Sequence, residues 1–388
     1  MAEAALRSHP VFFKGRGAVS NPEGRFERRR REAADDGWST EPPELVSPQT
    51  TVTIEHARTI ISRNQSPDVF FDQSINPYRG CEHGCIYCYA RPNHAYVGLS
   101  PGADFETRLF AKPDAAALLA AELAHPSYRC SPIVLGTATD AYQPVERDMR
   151  ITRSLVEALS ACHHPLVIIT KSSLVERDID LLAAMARRNL AAVYVTVTTL
   201  DGELARRWEP RAVAPWRRLE TIRRLAEAGI PVGVMVAPIV PFLNEPEIEQ
   251  VLVEAREAGA RSAHYTVLRL PLELREVFCD WLHLHFPDRA ARVLARLSDM
   301  RAGAQGGHGA GGRKLSAAQG AGQSVAGARL NDSRFHHRMR GQGHWADLIR
   351  LRFELGCRKH GLVRDRPELD IAQFSPPSRD GQLGLFDV

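Results

Sequence analysis

Apolar, strand-like runs alternate with segments of helical periodicity through the central part of this chain of 388 residues. The strand-like runs occupy residues 69–75, 132–136, 166–170, 191–197, 232–236 and 262–268. Helical periodicity follows at about residues 114–124, 148–161, 177–188, 216–228 and 246–258. Strands that alternate with helices in this way form βαβ units with a parallel sheet, and parallel strands buried on both faces are apolar throughout. The pattern therefore predicts an α/β fold with six parallel strands.

Composition divides the chain around this core. The expected segments are residues 1–60, 61–300, 301–330, 331–366 and 367–388. The first is polar and basic, which predicts a partly disordered arm, and the second holds the α/β core. The third is rich in Gly and Ala, as flexible insertions are. Helical periodicity in the fourth predicts a C-terminal helical extension, and Pro, Ser and Gly in the last predict a disordered tail.

The overall composition is that of a globular protein without a membrane span. Hydrophobic residues make up 44% of the chain, and no apolar stretch approaches the roughly 20 residues that a membrane helix needs. The N-terminal residues lack the pattern of a signal peptide, so we expect a cytoplasmic location. Seven cysteines are an odd number for a disulfide framework, and the four that are scattered along the chain are expected to be buried and reduced.

The net charge of +4 is small, but two short segments concentrate arginine. One spans residues 25–31 and the other spans residues 334–340. Basic clusters can bind the phosphates of a nucleic acid, or they can form an ordinary solvated surface. Charge alone leaves both interpretations open.

Cys81, Cys85 and Cys88 form a C-x3-C-x2-C triplet in the loop after the first predicted strand. Iron–sulfur clusters are normally held by cysteine thiolates. Three thiolates on a four-iron cluster would leave one iron open to a ligand, as in metal sites that keep a position for substrate. The alternative is a zinc knuckle with His83 as a fourth ligand, but no second C-x2-C pair follows. The spacing therefore favours an iron–sulfur cluster.

Polar residues follow the other predicted strands at the points where those strands end. They lie in residues 136–144, 170–173, 196–201 and 237–241. In parallel α/β barrels the loops at the C-terminal ends of the strands carry the active site. We therefore expect these residues to line one site together with the cysteine loop.

These features resemble the radical S-adenosylmethionine (radical SAM) superfamily, and within it the branch that contains the DNA repair enzyme spore photoproduct lyase. The resemblance is carried by residues 76–90, 139–140, 170–172, 209–211 and 238–241. It implies a partial (β/α)6 barrel and a 4Fe-4S cluster on the three cysteines. It also implies reductive cleavage of S-adenosylmethionine to a 5′-deoxyadenosyl radical, with an electron donor such as flavodoxin or ferredoxin as a partner.

The same resemblance implies four cofactor-binding residues. Tyr87 would lie beside the adenine, and Lys171 would pair with the carboxylate of S-adenosylmethionine, since an ammonium is a suitable point-charge partner. Thr198 would approach the ribose or the amino group, and Thr139 would stand near the methionine part. An ion pair at the barrel rim is the alternative role for Lys171.

One position departs from the pattern of the lyase. That enzyme carries a cysteine at the end of its second strand, where the thiol returns a hydrogen atom to the product radical. Residues 136–140 contain no thiol at this place, and Cys130 precedes the strand, at the wrong end of the barrel for this role. Spore photoproduct lyase activity is therefore not expected, and the sequence identifies no catalytic residue.

The C-terminal tail contains a second motif. Gln382, Leu383, Leu385 and Phe386 form a short peptide that resembles the sequence by which bacterial DNA repair and replication proteins bind the sliding clamp. Two leucines and a phenylalanine on a polar tail are a suitable anchor for a hydrophobic pocket. A tail that folds back onto the core is the alternative.

Three functions remain open from the sequence. The first is a radical SAM enzyme that acts on nucleic acid, in DNA repair or base modification, and the basic segments and the clamp-like peptide favour it. The second is a radical SAM enzyme that acts on a small molecule or a peptide. The third is an iron–sulfur protein that binds nucleic acid without catalysis, and it predicts no cleavage of S-adenosylmethionine.

Overall fold

The structure of the protein is a computed structural model that describes residues 15–27, 49–302, 329–365 and 368–377. The clamp-like peptide at residues 382–386 and most of the Gly/Ala-rich insertion lie outside these residues. The strands are β1 (Thr51–Ile54), β2 (Ile61–Arg63), β3 (Gln73–Ile75), β4 (Tyr78–Arg79), β5 (Arg108–Ala111), β6 (Ile133–Leu135), β7 (Leu166–Thr170), β8 (Ala191–Thr196), β9 (Val232–Ile239) and β10 (Ser262–Val267).

Helices connect most of these strands. They are α1 (Asp104–Thr107), α2 (Ala115–Leu123), α3 (Glu146–Met149), α4 (Ile151–Ala161), α5 (Ile179–Arg187), α6 (Gly202–Trp208), α7 (Pro215–Glu227), α8 (Ile248–Glu257), α9 (Leu274–His285), α10 (Pro287–Ala302) and α11 (His344–His360). In the part of the chain that the structure describes, no helix combines the length and apolar character needed to cross a membrane.

The main sheet confirms the predicted α/β fold. It contains seven strands in the order β10-β9-β8-β7-β6-β3-β2. The six strands from β3 to β10 in this order are parallel, and they correspond to the six predicted apolar runs. The strand β2 pairs antiparallel with β3 at one edge. The described strands form an open sheet and no closed barrel, as expected for a partial barrel.

The helices between the parallel strands lie close to the positions predicted from periodicity. In α4, for example, Ile151, Leu155, Val156 and Leu159 are buried. This spacing places them on one face of the helix, and full burial of such a side chain stabilises the fold by roughly 1.5–3 kcal/mol. The apolar residues of the strands and of these helix faces form one continuous core.

A second, small sheet was not predicted from the sequence. It contains β1, β5 and β4, and β1 pairs parallel with β5. All four residues of β1 are exposed, so this strand lacks the apolar pattern of a buried strand. It lies within residues 1–60, where the composition predicted an arm.

Residues 329–343, which we call the bridging segment, join the two ends of the parallel array. On one side, the backbone N–H of Val267 in β10 donates to the carbonyl of Met339 over 2.8 Å. On the other side, Arg338 forms an ion pair with Asp68, in the chain that leads to β3. The bridging segment therefore covers the open side between β10 and β3.

Candidate active site

A cavity of about 350 Å³ opens at the C-terminal ends of the parallel strands. All three cysteines of the triplet line it, together with side chains that follow β6, β7 and β10. The lining includes Phe70, Cys81, Cys85, Tyr87, Cys88, Tyr89, Thr139, Asp140, Lys171, Tyr265, Arg269, Arg340 and Arg364. The polar residues that were predicted to follow the strands thus line one cavity.

Backbone contacts hold the cysteine loop in position. The N–H of Cys81 donates to the carbonyl of Phe105 over 2.9 Å, and the N–H of Ile86 donates to the carbonyl of Trp208 over 3.0 Å. Gly84 lies between them with a φ of +66°, and a Cβ there would approach a carboxylate oxygen of Glu106 to 2.7 Å. Glycine is therefore needed at this turn both for its conformation and for its lack of a side chain.

The buried Arg91 holds the same loop by hydrogen bonds to its backbone carbonyl oxygens. Its guanidinium donates to the carbonyl oxygens of Cys85 over 2.9 Å and Gly84 over 3.1 Å. It also forms an ion pair with Glu106, and both side chains are fully buried. Burying two charges is favourable only when each is paired and hydrogen-bonded, and this geometry meets that condition.

An N-terminal stretch completes the surroundings of Glu106. The backbone N–H groups of Gly17 and Ala18 donate to its two carboxylate oxygens over 2.9 and 2.8 Å. Gly17 also lies directly against the cysteine loop, because a Cβ on it would be 1.9 Å from the carbonyl oxygen of Gly84. Part of the segment that the composition identified as an arm is therefore packed against the loop that carries the triplet.

The donor set fits a four-iron cluster. Cys81 and Cys85 are each 7% exposed, Cys88 is half-buried, and all three are free thiols. Burial raises the pKa of Cys81 and Cys85, and bound iron would counter this by stabilising the thiolates. Among the described residues no three His, Cys, Asp or Glu side chains converge on a single ion. A cluster binds its cysteines at separate iron atoms, so convergence on one point is not required.

Asp140 links the loop after β6 to the end of β7. Its buried carboxylate lies 3.3 Å from the ring Nδ1 of His83. It also accepts hydrogen bonds from the Thr170 hydroxyl over 2.7 Å and from the backbone N–H of Lys171 over 2.8 Å. Burial alone would raise the pKa of Asp140, but His83 and these donors lower it well below its ordinary value. Asp140 therefore carries a charge that fixes neighbouring loops, a role that the sequence analysis missed.

Three of the four predicted cofactor-binding residues line the cavity. The Lys171 ammonium is 5.8 Å from the ring centroid of Tyr87, and among the described residues it forms no ion pair. The Tyr87 hydroxyl donates to Glu209, so the ring is held by its polar end. The Thr139 hydroxyl donates to the carbonyl of Tyr78 over 3.0 Å.

Thr198, the fourth predicted residue, is placed differently. It is buried and is not among the residues that line the cavity. Its hydroxyl donates to Glu209 over 3.0 Å, and its carbonyl accepts from Asn244 over 2.6 Å. Glu209 in turn forms an ion pair with the buried Arg218. In this structure Thr198 therefore helps to hold the carboxylate that orients Tyr87.

A family model described as the radical SAM superfamily matches residues 75–255. These residues run from the end of β3 through most of α8, and they include the cysteine triplet and Lys171. This part of the chain, just under half of its length, matches the radical SAM superfamily.

Two relatives show how much of this chain has similarity to other proteins. An uncharacterized protein of Mycobacterium tuberculosis strain H37Rv is 38% identical over 224 residues, which cover 57% of this chain and 66% of the relative. An uncharacterized protein of Methanocaldococcus jannaschii is 27% identical over 214 residues, which cover 55% of this chain and 76% of the relative. The match thus spans slightly less than two thirds of the mycobacterial protein.

Solved structures of two radical SAM enzymes are also similar. Spore photoproduct lyase complexed with dinucleoside spore photoproduct has a TM-score of 0.43 and 18% identity, over 61% of this chain and 66% of the lyase. The radical S-adenosylmethionine methyltransferase TsrM from Kitasatospora setae, with cobalamin and a [4Fe-4S] cluster bound, has a TM-score of 0.37 and 18% identity, over 51% of this chain and 34% of the methyltransferase.

Proposed function

We propose that this protein is a radical SAM enzyme in which Cys81, Cys85 and Cys88 hold a 4Fe-4S cluster and the adjoining cavity binds S-adenosylmethionine. When bound, the cluster supplies the electron that divides S-adenosylmethionine into methionine and a 5′-deoxyadenosyl radical. The observation that carries the proposal is that the three cysteines and Lys171 line the same cavity at the strand ends. An electron donor such as flavodoxin or ferredoxin would be a partner.

Residues of the chain would hold the cofactor in a defined orientation. Lys171 would bind its carboxylate, and Tyr87 would lie beside the adenine with its hydroxyl anchored on Glu209. Thr139 would stand near the methionine part. Because the cysteines are largely buried, the cavity would also keep bulk water away from the reactive species.

The deciding experiment measures 5′-deoxyadenosine. The reconstituted protein would be incubated under anaerobic conditions with dithionite and S-adenosylmethionine, and the product quantified by chromatography. We expect formation of 5′-deoxyadenosine that depends on all three cysteines. A fully loaded cluster without any product would overturn the proposal and support a protein that binds without catalysis.

We further propose nucleic acid as the substrate, in DNA repair or base modification. Phe70 and Tyr89 line the cavity and are 40% and 47% exposed, and exposed aromatic rings can stack on bases. The cavity lining carries four cationic side chains and two carboxylates, a balance that suits a polyanion. A small molecule or a peptide remains the alternative substrate.

The substrate class can be tested by the effect of salt. Binding of single-stranded DNA should weaken steeply as the salt concentration rises, because neutralised phosphates release counterions. Stimulation of 5′-deoxyadenosine formation by ultraviolet-irradiated DNA would add support for repair. Tight DNA binding that is independent of salt, or no binding at all, would favour the alternative substrate.

Replacing Lys171 by methionine should weaken the binding of S-adenosylmethionine by roughly tenfold or more, because a charge-assisted contact to the carboxylate is lost. The cluster should still load, since Lys171 is not a ligand. Isothermal titration of the reconstituted variant with S-adenosylmethionine would measure the change. Unchanged affinity would contradict the assigned role. Lys359 in α11 is exposed, so Lys359→Met is a matched control that should leave the affinity unchanged.

We also propose that the tail residues Gln382, Leu383, Leu385 and Phe386 bind the bacterial sliding clamp. Deleting residues 382–386 should abolish measurable clamp binding and leave cleavage of S-adenosylmethionine intact. Surface plasmon resonance with immobilised clamp would test the first part, and the 5′-deoxyadenosine assay the second. Equal clamp affinity with and without the peptide would contradict the proposed role of residues 382–386.

A further inference from the structure

Arg269 is a cation inside the cavity without a carboxylate partner among the described residues. It follows β10 and lines the cavity, and its side chain is half-buried. Its guanidinium carbon lies 4.7 Å from the ring centroid of Tyr89, so the group stacks on the residue next to Cys88. Burial lowers the pKa of Arg269 and Arg338 lowers it further, whereas Tyr89 and the Asp68 carboxylate, which is paired with Arg338, act in the opposite direction. Because no described carboxylate forms an ion pair with it, the guanidinium is available to bind an anion in the cavity.

The neighbouring arginines divide into two kinds. Arg338 has Asp68 as its partner, and Arg364 pairs with Glu354 over 2.6 Å. Arg340, on the bridging segment, lines the cavity like Arg269 and likewise forms no ion pair with any described residue. Arg269 and Arg340 therefore both line the cavity without an ion-pair partner among the described residues.

Tyr265 adds a hydroxyl that lacks a partner. The residue is 8% exposed and lines the same cavity, and its hydroxyl oxygen is buried without a hydrogen bond to any described residue. Burial raises the pKa of this hydroxyl, the charges of Arg340 and Arg364 lower it, and both arginines line the same cavity. A buried hydroxyl without a partner is unfavourable, and a ligand oxygen at this position would satisfy it.

We infer that Arg269, Arg340 and Tyr265 form a binding site for a phosphodiester group of the substrate. This inference rests on the proposed function, and it deepens it by naming the part of the nucleic acid that the cavity recognises. Each guanidinium offers a planar fork of N–H donors that matches phosphate oxygens in pairs. Phosphate contacts fix the position and register of a nucleic acid, so this site would place one nucleotide beside the cysteine loop.

Two further observations favour a phosphodiester over another anion. Phe70 lines the cavity and Tyr89 carries Arg269 on its ring, so the aromatic faces that a base needs are next to the cations that a phosphate needs. Lys171 lies beside a different ring, 5.8 Å from the centroid of Tyr87, where it is proposed to bind the cofactor carboxylate. The two anionic groups thus have separate partners.

The test compares a charged probe with a neutral copy of itself. The charged probe is thymidylyl-(3′→5′)-thymidine, which has one phosphodiester, and the neutral probe is its methylphosphonate analogue. Both would be titrated into the reconstituted holoprotein with S-adenosylmethionine present. We expect the wild type to bind the charged probe at least tenfold more tightly, and Arg269→Gln to lose most of that preference.

Controls separate charge recognition from damage to the fold. Arg206→Gln removes an exposed arginine of α6 that pairs with Glu203 over 2.8 Å, and it should leave the preference unchanged. Arg340→Gln changes an exposed residue, so it should fold normally and still reduce the preference. Tyr265→Phe should reduce it by a smaller factor, because one neutral donor is lost.

Three outcomes would overturn the inference. The wild type could fail to distinguish the two probes, or Arg269→Gln could weaken both equally, which would mean that Arg269 only shapes the cavity. A loss of affinity for S-adenosylmethionine larger than the loss for the charged probe would assign Arg269 to the cofactor. Failure of the proposed function is seen separately, as a wild-type protein that makes no 5′-deoxyadenosine.

Discussion

Replacing Cys85 by alanine is expected to reduce the iron content of the reconstituted protein from nearly four atoms per chain to less than about one. Cys85 is buried on the wall of the cavity, and a cluster held by three cysteines has no spare protein ligand. Formation of 5′-deoxyadenosine should fall to background. Iron and sulfide analysis, together with the electron paramagnetic resonance signal of the reduced protein, would measure the loss.

A matched control is available for this substitution. Cys279 is also a free, half-buried cysteine, but it lies in α9 and does not line the cavity. Cys279→Ala should therefore load the cluster as the wild type does. A full four-iron signal in Cys85→Ala would refute the ligand assignment. Stoichiometric zinc without sulfide in the wild type would support the zinc knuckle instead.

Replacing Glu106 by alanine should destabilise the fold by about 3–5 kcal/mol, the usual cost of leaving one partner of a buried ion pair alone. The substitution removes the carboxylate partner of Arg91 and the acceptor of the backbone N–H groups of Gly17 and Ala18. Urea denaturation of the wild type and the variant would give the difference in free energy of unfolding. Because Arg91 binds carbonyls of the cysteine loop, cluster loading should fall as well.

An exposed ion pair provides the comparison for Glu106. Glu203 pairs with Arg206 on the surface of α6, and both side chains are more than two thirds exposed. Glu203→Ala should change the free energy of unfolding by less than about 1 kcal/mol. If Glu106→Ala were no more damaging than Glu203→Ala, the buried network would not be what holds the cysteine loop.

The six parallel strands and their connecting helices were predictable because burial leaves a pattern in the sequence. Strands buried on both faces are continuous apolar runs, and helices buried on one face show a helical period. Strand β8 is buried at all six positions, and it stands out as an apolar run. The small sheet was missed because β4 has two residues and β1 is exposed throughout. The helices α9 and α10 were also not identified. The bridging segment has no regular structure over most of its length, so it has no period to detect.

The sequence by itself located the residues on which the proposed chemistry depends. Cys81, Cys85 and Cys88 lie within one loop, and the end of a strand is a local feature of the sequence. Both can therefore be recognised from the sequence alone. Lys171 was found because it directly follows a buried strand, and in a parallel sheet the ends of successive strands lie at the same edge.

Only the tertiary structure decided which groups support and complete that site. Glu106 accepts a hydrogen bond from Gly17, Asp140 contacts His83, and Arg269 lies over the ring of Tyr89. The two residues of each pair are far apart in sequence. Such pairings depend on how the sheet curves and on which segment covers its open side. Charge and burial are properties of the folded surroundings, so an arginine that lacks a carboxylate partner is recognisable only after the chain has been brought together.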